Sequence, residues 1–494
     1  MYKPVIGLEI HVELNTKSKM FCGCANDPDE KRPNFNVCPI CMGHPGTLPV
    51  INQEAVVKVI KTGLALNCNI PENSKFDRKN YFYPDLPKGY QISQYDQPLC
   101  KEGYLNIDGR QIRVRRVHLE EDTGRLIHEQ GEGSLVDLNR AGVPLMELVT
   151  DPDIETGVEA RRFAEDLRLI LRYLGVSKAN MEKGEMRCEV NISLSKNPPA
   201  GGGVLGTKAE IKNLNSFRAV EKSIEYEIKR QTELLDKGEK IIQETRGWDD
   251  IKGKTVSQRE KEEAHDYRYF PEPDLPSLHF TKEDILKIKE QIVELPEERK
   301  QRFIKEYGLS RDNVGIFSIR KELGDFFEKT AYELKAWVES EKGKKIDEGE
   351  FQKLAKIASN YLISDLLGIL KEEKYEENDL RVTPENFAEL VKTIYLNKIS
   401  SKAAKTVLLE MVKNGKDPSQ IIEEMGLVQV TDEGEIGAII KEAIDDPKNK
   451  KAIDDFKSGK ESALQFVVGQ IMAKTKGKAN PQSLKELLKK ALTK

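Results

Sequence analysis

Hydrophobic and polar positions alternate without a break over Val5-Ile6-Gly7-Leu8-Glu9-Ile10-His11-Val12-Glu13-Leu14, which predicts a β-strand. Ile6, Leu8, Ile10, Val12 and Leu14 share the core face, and Glu9, His11 and Glu13 share the other. Further on the period changes to that of a helix. Phe163, Leu167, Ile170, Leu171 and Leu174 follow the capping-box sequence Thr156-x-x-Glu159, and the run stops at Gly175. A second helix is predicted from Asn215-Ser216 to about Asp236, burying Phe217, Val220, Ile224 and Ile228, and Pro198–Gly203 reads as a loop between strands. Beyond about residue 295 the pattern is helical and rich in Lys and Glu. Leu354, Ile357, Tyr361, Leu362, Leu366 and Leu370 form one face there. Asn414-Gly415-Lys416-Asp417-Pro418 is a turn signal, and Asn480-Pro481 opens a last helix striped by Leu484, Leu487, Leu488, Ala491 and Leu492.

These patterns predict an α+β chain. Residues 1–295 read as a mixed-sheet domain, 296–409 as a helical domain and 410–494 as a small helical tail, in keeping with roughly three domains of about 150 residues in a chain of 494. All seven Cys and all six His fall in the first of these. Charged residues make up 33% of the chain, mean hydropathy is −0.57, and no apolar run approaches the length of a membrane span. The N-terminus carries no signal-type apolar segment, and the cysteines cluster as metal ligands do, so a cytoplasmic protein without membrane contact is expected. With 79 basic and 83 acidic residues the net charge is −4, so any contact with nucleic acid must be local. Lys474, Lys476, Lys478, Lys485, Lys489, Lys490 and Lys494 against the single acid Glu486 offer such a patch, or merely a solvated face.

Candidate chemistry comes next. Cys22-x-Cys24 and Cys38-x2-Cys41, separated by 13 residues, suit four thiolates around one tetrahedral Zn²⁺, although the first pair is one residue shorter than usual. On the polar face of the first strand two carboxylates flank an imidazole, each roughly 6–7 Å from it. Further carboxylates occur in His118-Leu119-Glu120-Glu121-Asp122 and at Glu147, and two later strands expose Arg187, Glu189 and Asn191, then Lys208, Glu210 and Lys212. Singly, each face reads as a solvated edge. Together they suggest a groove binding a metal ion and phosphate. Gly247 to Gly253-Lys254-Thr255 has five residues between its glycines where a P-loop needs four, and it reads as a hairpin turn. No Ser–Lys amidase signature is present.

The runs Gly7–Leu14, Phe76–Asp85, Gln91–Asp96, His118–Asp122, Lys208–Ser216 and Asp266–Asp274 resemble the B-subunit family of bacterial-type aspartyl/glutamyl-tRNA amidotransferases, over the whole chain. The resemblance implies a cradle-like N-terminal domain followed by helical and tail domains that touch tRNA. It implies a heterotrimer with an amidase-type glutaminase A subunit and a small C subunit, acting on Glu-tRNA(Gln) or Asp-tRNA(Asn). It implies a carbon–nitrogen ligase that uses ATP and Mg²⁺ to phosphorylate the tRNA-borne carboxylate before ammonia displaces the phosphate. On that reading Glu9, His11, Glu121 and Glu147 hold the divalent ion, and Glu189 and Glu210 serve a second ion or the phosphates. Arg78, Lys79, Lys88, Lys208 and Lys212 stabilise phosphate charge, and Tyr81, Tyr83 and Tyr90 are candidates for a channel wall. Two other readings stay open: a zinc-stapled RNA-binding module without chemistry, and a self-contained ATP-dependent ligase.

Overall fold

The computed structural model describes residues 2–128, 133–196, 205–260, 266–375, 380–428, 433–474 and 481–492. The chain divides into two compact units, Met1–Pro296 and Glu297–Lys494.

The first unit is built on a mixed eight-stranded sheet. Its strands in chain order are β1 (Lys3–Glu13), β2 (Cys100–Ile107), β3 (Arg110–Glu121), β4 (Pro144–Thr150), β5 (Met186–Ser195), β6 (Ala209–Leu214), β7 (Glu244–Asp249) and β8 (Lys254–Glu260). In space they run β8-β7-β6-β5-β1-β4-β3-β2. Every pair is antiparallel except β6 and β7. The sequence's first strand thus lies in the middle, hydrogen-bonded to β5 on one side and β4 on the other. Its alternation is physical: Ile6, Leu8, Ile10 and Val12 are essentially inaccessible, and the polar residues between them are half-buried.

Four of the described helices, α1 (Gln53–Ala65), α2 (Gly157–Tyr173), α3 (Phe217–Asp236) and the short α4 (Lys282–Lys289), share one core with the apolar face. α2 starts where expected. The Thr156 hydroxyl accepts the Glu159 N–H at 3.1 Å, but the Glu159 carboxylate takes the Glu155 N–H, so only half of the capping box forms. Ser216 caps α3 through the Ala219 N–H. Val220 and Ile224 of its predicted stripe are fully buried, with Phe217 and Ile228 packed at the margin. The Gly247–Thr255 segment is the turn of the β7–β8 hairpin, with Gly253 in the left-handed region at φ 59°. The Pro198–Gly203 loop lies outside the described residues.

The second unit is helical. Its larger cluster gathers Phe303, Phe317, Phe327, Leu354, Leu362, Leu366, Phe387, Leu408 and Met411. The predicted face from Leu354 to Leu370 is continuous in space only because a π-helical turn, Tyr361–Leu366, joins the helices Glu348–Asn360 and Leu367–Glu373. A smaller cluster, including Ile440, Leu464, Val467, Ile471, Leu484 and Leu488, holds the tail. The expected boundary at 410 is corrected by this packing. It falls inside the helix Ser401–Asn414, and Met411, Val412, Ile421 and Ile422 belong to the larger cluster. Of the tail lysines, Lys474 pairs with Glu442 at 2.9 Å and Lys489 with Glu461 at 2.6 Å, whereas Lys476, Lys478 and Lys494 lie outside the described residues. Among the described residues no helix is long and apolar enough to cross a membrane.

Candidate active site

The register of the sheet writes the site. Across its middle, Arg187 of β5, His11 of β1, Glu147 of β4 and His118 of β3 are direct cross-strand neighbours. Glu189 and Glu9 form the next pair on one side, and Glu120 opposite Leu145 lies on the other. Because side chains alternate with period two, all of these project from the face opposite the core. A small antiparallel sheet of Asp77–Asn80, Tyr90–Ser93 and Phe270–Pro271 adds Lys79 and Gln91 to the same cleft of about 820 Å³.

At the centre both imidazole Nε2 atoms stand 3.4 Å from the same oxygen, Oε2 of Glu147. Glu120 lies 3.8 Å from each ring, and Glu9 3.9 Å from His11. These gaps are wider than a good hydrogen bond of about 2.7–3.2 Å and leave room for a shared cation. Two three-residue sets, Glu9/His11/Glu147 and His118/Glu120/Glu147, each bring one ligand atom per residue to within 4.8 Å of the others. The Nδ1 of His118 is buried without a hydrogen-bond partner.

The electrostatics follow from burying so many acids together. Burial, with the Glu147 charge behind it, raises the Glu9 carboxyl above its ordinary range. Burial opposes a charge on His11, yet the facing carboxylate of Glu147, with Glu120 and Glu9, lifts it to about 9. Burial equally opposes ionisation of Glu147, which His118 and His11 nonetheless hold well below the usual carboxylate range. Glu13, at the end of the row, is pushed up to about 8 by burial and by Asp122, whose own charge is held by Arg187 at 3.0 Å. Lys79 carries its charge against the cost of burial because Glu120, Tyr269 and Glu147 favour it. On the far wall Lys212 bridges Glu189 at 2.9 Å and Glu210 at 3.4 Å, and the Thr245 hydroxyl donates to Glu210 at 3.0 Å.

Of the residues singled out from sequence, Glu9, His11, Lys79, Glu147, Glu189, Lys208, Glu210 and Lys212 line the cleft, as do Tyr81 and Tyr83. Four others do not join it. Glu121 projects from the opposite face of β3, paired with Lys88 and accepting the Ile92 N–H at 2.9 Å. Lys88 is thereby committed to Glu121. Arg78 grips Glu272 through two bonds of 2.7 Å and stacks on Tyr90, which likewise stays outside the cleft lining. The sequence pattern pointed to the runs holding Glu120, His118, Asp122 and Arg187 but assigned these four no role, and it passed over Arg116. In the cleft Ser93 supports Glu120 through a 3.0 Å hydrogen bond, and Arg187 pairs with Asp122. The signal was there: Val117 and Leu119 fix the core parity of β3, which sends His118 and Glu120 to the cleft and Glu121 away from it.

Away from the cleft, Cys22, Cys24, Cys38 and Cys41 bring their sulfurs within 4.8 Å of one another. The Cys38 and Cys41 sulfurs are 3.9 Å apart, close to the edge of about 3.8 Å that a tetrahedron with Zn–S bonds of about 2.3 Å requires. No disulfide is present. The loop is anchored by Met20, whose N–H donates to the Gly142 carbonyl at 2.7 Å, while the Gly142 N–H donates to the Asp122 carbonyl at 2.9 Å. The cysteine loop and the end of β3 therefore share one turn.

Comparison with known proteins agrees with this architecture. Residues 4–286 match the family model of the GatB/GatE catalytic domain, and residues 346–492 that of the GatB domain. The chain is 48% identical over 496 residues to the B subunit of the aspartyl/glutamyl-tRNA(Asn/Gln) amidotransferase of Brevibacillus brevis, covering 99% of each chain. The protein of the same name from Caldanaerobacter subterraneus is 48% identical over 497 residues, covering 100% of both, and that of Thermotoga maritima 47% over 500, covering 99% of both. Full-length similarity at this level, with the cleft on the matched catalytic domain, makes the chain a member of the aspartyl/glutamyl-tRNA amidotransferase B-subunit family.

Proposed function

We propose that the cleft phosphorylates the side-chain carboxylate of glutamate or aspartate carried on a misacylated tRNA, Glu-tRNA(Gln) or Asp-tRNA(Asn), and then amidates it. The observation that supports this is the facing of two sets of side chains. Histidines and carboxylates fill the middle of one open cleft, and Lys79, Lys208, Lys212 and Arg187 ring it. A carboxylate is a poor electrophile. Transfer of the γ-phosphoryl group of ATP to its oxygen gives an acyl phosphate and ADP. Ammonia then forms the C–N bond as phosphate leaves. Such transfers depend mainly on positioning and charge neutralisation.

The two sets that share Glu147 fit divalent cations by donor type and spacing, with Glu9 and His11 in one and His118 and Glu120 in the other. Mg²⁺ held there would neutralise charge developing on the transferred phosphoryl group. Lys79 and Arg116 bring positive charge to the same region. Lys212, fixed between Glu189 and Glu210, presents an ammonium to the opposite side of the cleft. The four cysteines fit a structural Zn²⁺ and offer it no open coordination position. Ammonia would come from an amidase-type A subunit, with a small C subunit completing a cytoplasmic heterotrimer, since this chain carries no glutaminase signature of its own.

The test uses the assembled complex carrying His11→Ala. Glutaminase activity reports assembly and is expected to persist. ATP cleavage dependent on the misacylated tRNA and amide formation are expected to fall together by about a hundredfold, the cost of losing one such stabiliser. Full transamidation by this variant at limiting Mg²⁺ would remove His11 from the chemistry.

A further inference from the structure

A second groove, of about 660 Å³, lies on the first unit between α3 and the β7–β8 hairpin. Its residues belong neither to the cleft nor to the zinc loop. Arg218, Lys222 and Lys229 recur along one face of α3, with Tyr226 on the same wall. Opposite stands Trp248, whose Nε1–H donates to Asp250 at 2.6 Å and so fixes the indole. The Tyr226 ring meets it edge-on, with centroids 6.4 Å apart. Lys222 pairs with Glu225 at 2.8 Å and Lys229 reaches Glu233 only at 4.0 Å. Among the described residues no carboxylate lies within 4 Å of Arg218, which is exposed at the mouth.

We propose that this groove binds an unpaired nucleotide of RNA, its base against Trp248 and Tyr226 and its phosphate on Arg218 and Lys222. The geometry combines the two features such sites need. An immobilised aromatic pair accepts any base by stacking, and a cationic stripe beside it follows the phosphates. A purely electrostatic surface would not need the indole held in place. An apolar protein-docking groove would not carry three cations, which here outnumber the two lining acids, Glu225 held by Lys222 and Asp250 held by the indole. The volume suits one nucleotide and not a duplex. The choice of RNA rests on the reading of tRNA as the substrate, but binding here requires no ATP and no residue of the cleft.

The experiment uses the two tryptophans of the chain, Trp248 and Trp337. Full-length chain carrying Trp337→Phe leaves Trp248 as the one indole reporter. Titration with a single-stranded hexaribonucleotide is expected to quench its fluorescence saturably, and added salt to reverse the quench. Arg218→Ala with Lys222→Ala, both surface changes, is expected to weaken that binding about tenfold with the melting temperature unchanged. Glu147→Gln is expected to leave it intact, so failure of the transamidation reading and failure of this one are separable. Three outcomes would overturn the proposal: no quench by the oligonucleotide; equal affinity in the double variant; or loss of assembly with the other subunits while RNA binding persists, which would make the groove a protein contact.

Discussion

Glu120 and Glu121 are adjacent in sequence and opposite in role. Glu120 enters the histidine cluster, whereas Glu121 is buried beneath it, paired with Lys88. Changing each to Gln separates site from scaffold. Glu120→Gln is expected to lower tRNA-dependent ATP cleavage about a hundredfold with little change in melting temperature. Glu121→Gln, measured by thermal denaturation, is expected to lose several degrees while keeping the reaction at a permissive temperature, because a broken buried pair strands the Lys88 charge. Glu227 offers a pH test away from any metal site. It is inaccessible on α3 and accepts from Arg230, from Gln231 at 3.0 Å and from the Thr255 hydroxyl at 3.0 Å. Burial opposes its ionisation, but the Arg230 hydrogen bond and charge hold its carboxyl below the ordinary value of 4.5. A lowered native value means stability that is fully present above about pH 4.5 and lost as pH falls through that native value. Glu227→Gln is therefore expected to lower unfolding free energy on the order of 3 kcal/mol at neutral pH. The gap to the unmodified chain should close in acid; a gap constant down to pH 3 would deny the ionised pair its role.

At the scale of elements, patterns set by local chemistry could be read from sequence. Alternation gave β1 its two faces, Thr156 and Ser216 started two helices, and glycine spacing separated a hairpin from a phosphate loop. What sequence could not supply was strand order. That β1 lies between β4 and β5, far apart in the chain, is decided by long-range packing, and this order puts His118 and Glu147 beside His11. The choice of Glu121 over Glu120 was a parity error of one residue. Arg78 and Lys88 were misplaced because a cation's partner, here Glu272 or Glu121, is not visible in its own strand. That the four cysteines converge was legible because their spacing is local. Metal analysis is expected to find about one zinc per chain, and Cys38→Ser to release it and lower thermal stability by several kcal/mol. A metal-free chain of unchanged stability would reduce the loop to ordinary thiols.

For the molecule as a whole, the packing of the second unit decides where a truncation is tolerated. A chain ending at 410 loses Met411, Val412, Ile421 and Ile422 from the larger helical cluster, and its second unit is expected to unfold at lower denaturant than the intact protein. A chain ending at 428 keeps that cluster whole. Compared with full length in the assembled complex, it is expected to bind tRNA more weakly and with a shallower salt slope while retaining glutamine hydrolysis. Equal affinity at several salt concentrations would leave the tail lysines as solvated charge, the role that the Lys474–Glu442 and Lys489–Glu461 pairs already fill for two of them.

The central position of β1 also limits how this gene can vary. Deleting or inserting one codon between Val5 and Glu13 would turn Glu9 and His11 into the hydrophobic core and Ile10 into the cleft, unless a bulge absorbed the change. Neighbours bonded along both edges leave no free side on which to slip. Single substitutions on this strand therefore damage either chemistry or folding, whereas a frame-preserving indel damages both at once. A library of in-frame single-codon deletions should show a gap in survivors over this strand and tolerance in the exposed stretch 236–240 at the end of α3.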